Sequence, residues 1–425
     1  MFFVLLQMDL YMSGKVLFIA YHYPPIAVSS GVHRTLAFSR YLSDWGWDVT
    51  VLTTDYKVYQ RYNLDLIGSI PEKVQVIRSW AKDTARDLSI KGRYSQLMAL
   101  PDRYQSWILG GVWSGLKAIK KNKPDVIVST YPIASAHVIG YFLHKMTGVP
   151  WIADFRDPMA QEGYPEHPLV HKSFLWIERK IVKHASKLVF NTRGAQDYYL
   201  QRYAELTPQN SVVIPNGYDE EVFEKVESEI KPTKVREPAS PLVLLHSGVI
   251  YPSERDPKDL FKAISDLKKD KRINAENFVL RLRASGHDDL FQAQVDALGI
   301  QDVVEFAPSI SYNDALQEMY AVDVLLLLQA DNCELQIPAK AYEYIRVRKP
   351  VLALTTTTGE TGRLLSAHPL ATLAPLNDSQ EIYKAIQATI ENQSVADNFT
   401  DRDVDKYSRR AGAQLMQDAI ESCIK

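Results

Sequence analysis

Lys340 and Glu343 lie three apart in the run IPAKAYEYIRVRKPVLAL, Ile337 to Leu354. On a helix that spacing puts both on one face, and Pro338 suits the first helical turn. A helix N-terminus attracts phosphate, and Lys340 adds a full positive charge there. A carboxylate only accepts hydrogen bonds, so Glu343 can receive both hydroxyls of a ribose. The pair can grip a phosphate and a ribose; spacing alone equally fits a surface ion pair with no ligand. A second stretch, HSGVIYPSERDP from His246 to Pro257, places Gly248 just after a strand and Arg255 on the following loop. Arginine presents a forked donor pair that matches phosphate. Arg255 and Lys340 would be the two cations that hold a diphosphate. The alternative for Arg255 is a loop arginine paired with Glu254 or Asp256.

On the N-terminal side, Asp154, Arg156 and Asp157 follow a strand in WIADFRDP and could position or polarise an acceptor hydroxyl. They could also form a structural ion-pair cluster at a strand end. His137, within SAHVIG, either faces the same place or is an ordinary helix residue. The acidic run DRDVD, Asp401 to Asp405, has the spacing of a cation-binding motif but follows no strand, so it reads as a helix start whose acids suit the dipole. Cys333 and Cys423 are the chain's two cysteines and belong to no Cys/His cluster, so no zinc site is expected. The formal net charge of -2 argues against a nucleic-acid binder, which usually shows a large basic excess.

The elements that must position these residues alternate between apolar strand-like runs and longer helical patterns, the mark of parallel α/β sheets. Strands are expected at Lys15 to Ala20, Asp48 to Thr53, Asp125 to Ser129, Trp151 to Asp154, Lys187 to Asn191 and Val212 to Pro215. Ser29 or Ser30 can cap the first helix, and Gly46 fits the position past its end. The charged, proline-bearing stretch from Glu227 to Pro241 reads as a linker. The cycle then restarts, with strands at Leu242 to His246, Phe278 to Ala284, Val303 to Phe306, Val322 to Leu328 and Pro350 to Leu354. The 425 residues therefore divide into a tail (1–14), a first Rossmann-like domain (15–226), the linker (227–241), a second Rossmann-like domain (242–402) and a C-terminal helix (403–425) that can return to the first domain.

Phe2 to Leu6 is too short to span a bilayer and lacks the positive start of a signal peptide, so the expectation is a short tail before the first strand, or an upstream start codon with Met12 the better start. No other run reaches a spanning length, and a soluble protein, or one bound to a single membrane face, is expected. In Trp107 to Lys123, Leu109, Val112, Trp113, Leu116 and Ile119 recur at helical spacing beside Lys117, Lys120 and Lys121. That fits a helix lying on an anionic membrane, and it fits an amphipathic helix packed on the first sheet. The sequons at Asn392 and Asn398 are read as chance patterns.

Taken in order, the strand–YxxP loop–Gly–helix opening (Tyr21 to Arg34), WIADFRDP, FNT (Phe190 to Thr192), IPNGYD (Ile214 to Asp219), and IPAKAYEY followed by KPVLAL resemble the retaining glycosyltransferases of family 4. The bacterial enzymes that build surface polysaccharides, lipopolysaccharide and capsule among them, are the branch most resembled. The resemblance runs from about Lys15 to the last helix. It implies an α/β fold of GT-B architecture, two Rossmann-like domains facing across a cleft. It implies that Glu343 binds the donor ribose, that Arg255 and Lys340 stabilise the diphosphate, and that the loop Ala307 to Ser311, with Pro308, lies near the base. It further implies that Gly31 approaches the donor phosphates from the first domain and that the anomeric configuration is retained. Family members commonly carry a second glutamate eight positions before the first; here Leu335 stands there, with Glu334 one place off.

The expected activity is transfer of a sugar from a UDP or GDP donor to a glycan or polyprenyl-diphosphate-linked acceptor. Two cations on the diphosphate can replace a divalent ion, so no metal and no cofactor are expected, and the nucleotide sugar is a substrate. Peripheral membrane contact through 107–123 and a place at the cytoplasmic face of the plasma membrane accompany that reading. A nucleotide-sugar 2-epimerase of the same fold and a non-catalytic nucleotide-binding scaffold are the rivals. A dinucleotide oxidoreductase is weaker, since neither turn holds Gly-x-Gly-x-x-Gly.

Overall fold

A computed structural model describes residues 14–27, 31–230, 240–391 and 404–424. The candidate cap at Ser29 or Ser30, the tail to residue 13, most of the 227–241 linker, both sequons and Asp401 to Asp403 lie outside them. The chain forms two compact units, 1–215 with 409–425, and 216–408.

The first unit runs β1 (Lys15–Ala20), α1 (Gly31–Asp44), β2 (Asp48–Thr54), β3 (Gln75–Ser79), α2 (Thr84–Asp87), α3 (Ser106–Asn122), β4 (Val126–Thr130), α4 (Ala134–Thr147), β5 (Trp151–Arg156), α5 (Pro168–His184), β6 (Lys187–Phe190), α6 (Arg193–Arg202) and β7 (Ser211–Val213). The second runs α7 (Glu220–Glu229), β8 (Leu242–Ser247), α8 (Pro252–Arg255), α9 (Lys258–Lys269), β9 (Phe278–Arg283), α10 (Asp288–Leu298), β10 (Val304–Ala307), α11 (Tyr312–Ala321), β11 (Val324–Leu328), α12 (Ala339–Val347), β12 (Val351–Leu354), α13 (Glu360–Ser366), β13 (Ala371–Ala374) and α14 (Ser379–Glu391). The last helix, α15 (Arg409–Ile424), belongs to the first unit and packs on α1, burying Ala413, Met416 and Ile420.

Among the described residues the first sheet has the order β3-β2-β1-β4-β5-β6-β7 and the second β10-β9-β8-β11-β12-β13, all parallel. Strand order reverses between β1 and β4 in one and between β8 and β11 in the other, the switch points where such sheets bind ligands. Helices cover both faces, so the central strands are continuous apolar runs; Val324–Leu328 (VLLLL) is buried along its whole length. Two strands go unread in the sequence, β3 and β13, and both are edges. β3 is QVIRS and β13 is ATLA, mostly half-buried, without the apolar run of a central strand.

The boundary between units falls at Pro215/Asn216, not within 227–241. Residues 227–229 finish α7, and α7 is part of the second unit. It docks there by Phe223 and Val226, buried in the cluster that holds Tyr344 and Ile345. Arg346 fixes it by charge, donating from Nη1 to Glu227 Oε1 at 2.7 Å and from Nε to Glu220 Oε2 at 2.9 Å.

α3 packs on the first sheet, and Val112, Leu116 and Ile119 of the stripe read in its sequence meet the core. Its inner face is Trp107, Gly110, Gly111, Gly115, Ala118 and Ile119. A Cβ on Gly110 would meet the Trp80 backbone, and one on Gly111 or Gly115 would meet Ile139 or Leu143 of α4. The glycines let α3 sit close, and the bulkier Leu109 and Trp113 point outward, 73% and 63% exposed. Among the described residues, no helix is long and apolar enough to cross a membrane.

Candidate functional site

The second unit gathers its charged groups at the end of β8. Gly248 follows the strand with φ +116°, a conformation that favours glycine. A Cβ there would lie 3.2 Å from Lys340 Nζ, so the lysine occupies the space that a side chain would take. Pro338 caps α12 and Lys340 is its second residue. Lys340 Nζ donates to the Ser247 carbonyl at 2.8 Å and lies 3.3 Å from His246 Nε2. Burial first, and the Arg255 guanidinium second, push its pKa down to about 7, against a smaller upward pull from Glu343.

Arg255 ends the short helix α8 rather than sitting on an irregular loop, and its Nη1 donates to the Val249 carbonyl at 3.0 Å. Glu343, one turn beyond Lys340, accepts a hydrogen bond from the Tyr312 hydroxyl at 2.7 Å on Oε1. Among the described residues neither Arg255 nor Lys340 has a carboxylate within ion-pair distance, and Arg255 pairs with neither Glu254 nor Asp256. The surface-pair readings of both cations are thereby set aside. Pro308 is exposed after β10, and its carbonyl accepts from Arg283 Nη1 at 2.8 Å. The Arg283 carbonyl in turn receives the Gly248 amide at 2.8 Å. Gly248, Arg255, Lys340 and Glu343 are thus brought together, with Pro308 one backbone step away.

The sequence missed three supports of this site. Tyr312 and His246 contact Glu343 and Lys340 from elements 31 and 94 positions away. Buried Gln329, just after β11, donates to the carbonyls of Cys333 and Gln336 at 2.9 and 3.1 Å and shapes the loop that leads into α12. A polar residue at the end of an all-apolar strand was the one signal available for it. In the same loop the Glu334 carboxylate accepts from Thr356 and Thr358, and its carbonyl receives the Glu360 amide.

In the first unit the candidates fare differently. Asp154 is 1% exposed, and both its oxygens are engaged. Arg34 donates to Oδ1 and Oδ2 at 3.1 Å each, and Thr130 adds a bond to Oδ2 at 3.0 Å. It serves the structural ion pair, not an acceptor hydroxyl. His137 faces inward on α4, fully buried, with Nδ1 2.7 Å from Ser129 Oγ and its ring beside Tyr131 and Phe155. Burial drops its pKa to about 4, which makes it a neutral core residue, and the cleft-facing reading is withdrawn. Arg156 has a left-handed backbone (φ +59°) beside a register shift in β5, and its Nη1 donates to the Gly31 carbonyl at 3.0 Å. Gly31 is buried as the first residue of α1, and Asp157 is half-buried after β5. Among the described residues no group of His, Cys, Asp and Glu could hold a metal ion.

Residues 31–217 match the family described as glycosyl transferase 4-like domain, a span that ends two residues past the first segment of the first unit. The whole chain is similar in fold to solved structures. Anabaena HepE in complex with UDP superposes with TM-score 0.65 at 16% identity, covering 96% of this chain and 100% of that one. The lipopolysaccharide outer core galactosyltransferase WaaB gives 0.64 at 14%, covering 96% and 99%. Sucrose-phosphate synthase from Thermosynechococcus elongatus gives 0.63 at 14%, covering 97% and 95%. No curated protein matches the sequence. Two Rossmann-like units in one chain, with these neighbours, define the GT-B fold.

Proposed function

We propose that the protein is a glycosyltransferase that takes its sugar from a nucleotide diphosphate bound in the second unit. The observation that carries this reading is the pair Lys340 and Arg255 at the end of β8, supported by neutral acceptors, with Glu343 one helical turn away. Such cations can stabilise a departing diphosphate electrostatically. Glu343 Oε2 is placed to accept from a ribose while Tyr312 holds Oε1. The 4-like domain match supports the reading, and the neighbours solved with UDP and with UDP-glucose favour UDP over GDP.

The transfer is retaining and metal-independent in this proposal. The bond from the anomeric carbon to the diphosphate oxygen breaks and a bond to the acceptor oxygen forms on the same face. The acceptor proton passes to a donor phosphate oxygen, and the two cations carry the charge that a divalent ion would otherwise offset. The acceptor is a glycan or a polyprenyl-diphosphate-linked sugar of a bacterial surface polysaccharide, and Arg156 and Asp157 remain candidates on that side. α3 supports a peripheral contact with the inner face of the plasma membrane. Its outward side carries Leu109, Trp113, Lys117 and Lys120, it has no acidic residue, and Lys117 Nζ lies 3.3 Å from the Trp113 ring centroid.

Thermal unfolding in EDTA with UDP, GDP, CMP or NAD tests the donor site. A ligand that binds only the folded state raises its apparent stability. Stabilisation by UDP or GDP that is markedly reduced in Glu343→Ala is the expected result. No shift with either nucleotide, or the same shift in the variant, would remove the donor site and leave the scaffold reading.

A further inference from the structure

We infer that His246 is a positioning residue for Lys340: a neutral imidazole, held in one tautomer by the Leu326 carbonyl, that aims the lysine at the donor diphosphate. This rests on the donor-site reading above and adds to it the residue that orients the cation.

The geometry begins at the switch point of the second sheet. β8 and β11 pair through Leu244 with Val324 and Leu245 with Leu325. One residue further on, the side chain of His246 bridges the same two strands, with Nδ1 3.0 Å from the Leu326 carbonyl. A carbonyl only accepts, so Nδ1 carries the proton and Nε2 keeps its lone pair. Nε2 is the atom 3.3 Å from Lys340 Nζ. The imidazole is fully buried, and burial, reinforced by the Lys340 and Arg255 charges, outweighs the opposing pull of the Leu326 and Gly248 backbone and holds it neutral.

An ammonium has three donors. Ser247 O at 2.8 Å and His246 Nε2 take two, which leaves one fixed direction instead of a rotating head on a flexible stem. The choice of a neutral partner matters. A carboxylate in the place of His246 would orient Lys340 equally well but cancel its charge. Imidazole and carbonyl orient it and leave the charge for a ligand. The charged and titratable groups that face Lys340 are His246 from β8, Arg255 from α8, and Glu343 from its own helix. Among these His246 alone both contacts Nζ through a side chain and is locked from behind.

The test is calorimetric binding of UDP and GDP, each against its monophosphate, to the wild type, His246→Leu and His246→Gln. The leucine variant loses about tenfold in diphosphate affinity and keeps its monophosphate affinity, because the lost orientation concerns the diphosphate cation. Glutamine places an amide oxygen near the Nε2 position and restores most of the loss. An unchanged diphosphate-to-monophosphate ratio in His246→Leu, or equal losses for both ligands, overturns the inference. Nitrogen-15 NMR of the wild-type ring, assigned by its absence in His246→Gln, gives a readout that requires neither ligand binding nor a folded leucine variant. Protonated Nδ1 and bare Nε2 from pH 5.5 to 8 are expected, and the opposite tautomer or a charged ring overturns it. A wild type that binds neither nucleotide while showing the expected tautomer would sink the donor site and leave the His246–Lys340 geometry standing.

Discussion

The two units repeat one topology, and each gathers basic residues near its switch point, but they treat charge in opposite ways. In the first unit Arg34 and Asp154 spend their charges on each other, while Arg156 rests on the Gly31 and Tyr131 carbonyls. Arg34 and Asp154, both nearly inaccessible, close on one another through two hydrogen bonds, and the third Arg34 contact goes to the Pro215 carbonyl. In the second unit Lys340 and Arg255 rest on carbonyls and an imidazole, and Glu343 rests on a phenol. A salt bridge closed on itself stabilises or orders a fold; a cation propped by neutral acceptors keeps its field for something that is not part of the chain. The same strand order therefore carries a closed ion pair, Arg34 with Asp154, in one half and the open cations of the candidate site in the other.

The largest effect expected from this contrast is on stability. Arg34→Leu leaves Asp154 buried without its partner and costs about 3–5 kcal/mol in urea unfolding, whereas Arg34→Leu with Asp154→Leu recovers part of that loss. Equal losses in the single and double variants would mean that the pair is no clasp. Next comes Lys340→Met, which weakens UDP or GDP binding about a hundredfold with the melting temperature near that of the wild type. A collapse of stability in place of a collapse of affinity would put Lys340 in the same class as Arg34.

Glu343→Ala, which removes one ribose acceptor together with its bond from the Tyr312 hydroxyl, lowers nucleotide affinity about tenfold in calorimetry. The last effect is a pH dependence. The Lys340 pKa of about 7 lies below the ordinary lysine value of 10.5, so the unfolded chain binds the extra proton between them. Stability contributed by this group therefore rises with pH across that window. Nucleotide affinity, which needs the charged lysine, falls across the same window. Calorimetry at pH 8 in two buffers of different ionisation enthalpy should show net proton uptake on binding. Lys340→Met should show none from this site.

Legibility in the sequence followed how local each cause was. α12 could be read from Pro338 and from the placing of Lys340 and Glu343, because a helical turn is set by neighbours in sequence. The buried strands announced themselves as apolar runs, since a sheet covered on both faces admits little else. The edge strands β3 and β13 gave no such signal. α3 was legible in part: Val112, Leu116 and Ile119 of its stripe meet the core, while its close approach to α4 uses glycines, which carry no apolar signal. The 227–241 stretch looked like a boundary by composition, but α7 had already joined the second unit through Arg346, more than a hundred positions away.

The sequence by itself determined two parallel α/β units and a helix that carries a lysine and a glutamate near its start, since periodicity, caps and apolar runs act over a few residues. Only the tertiary structure decided which charges are available. Asp154 is occupied by an arginine 120 positions back, His137 turns into the core, and Lys340 is aimed by a histidine 94 positions away. Whether a charge is spent or kept depends on its partners and its burial, and both are fixed by contacts between elements far apart in the chain.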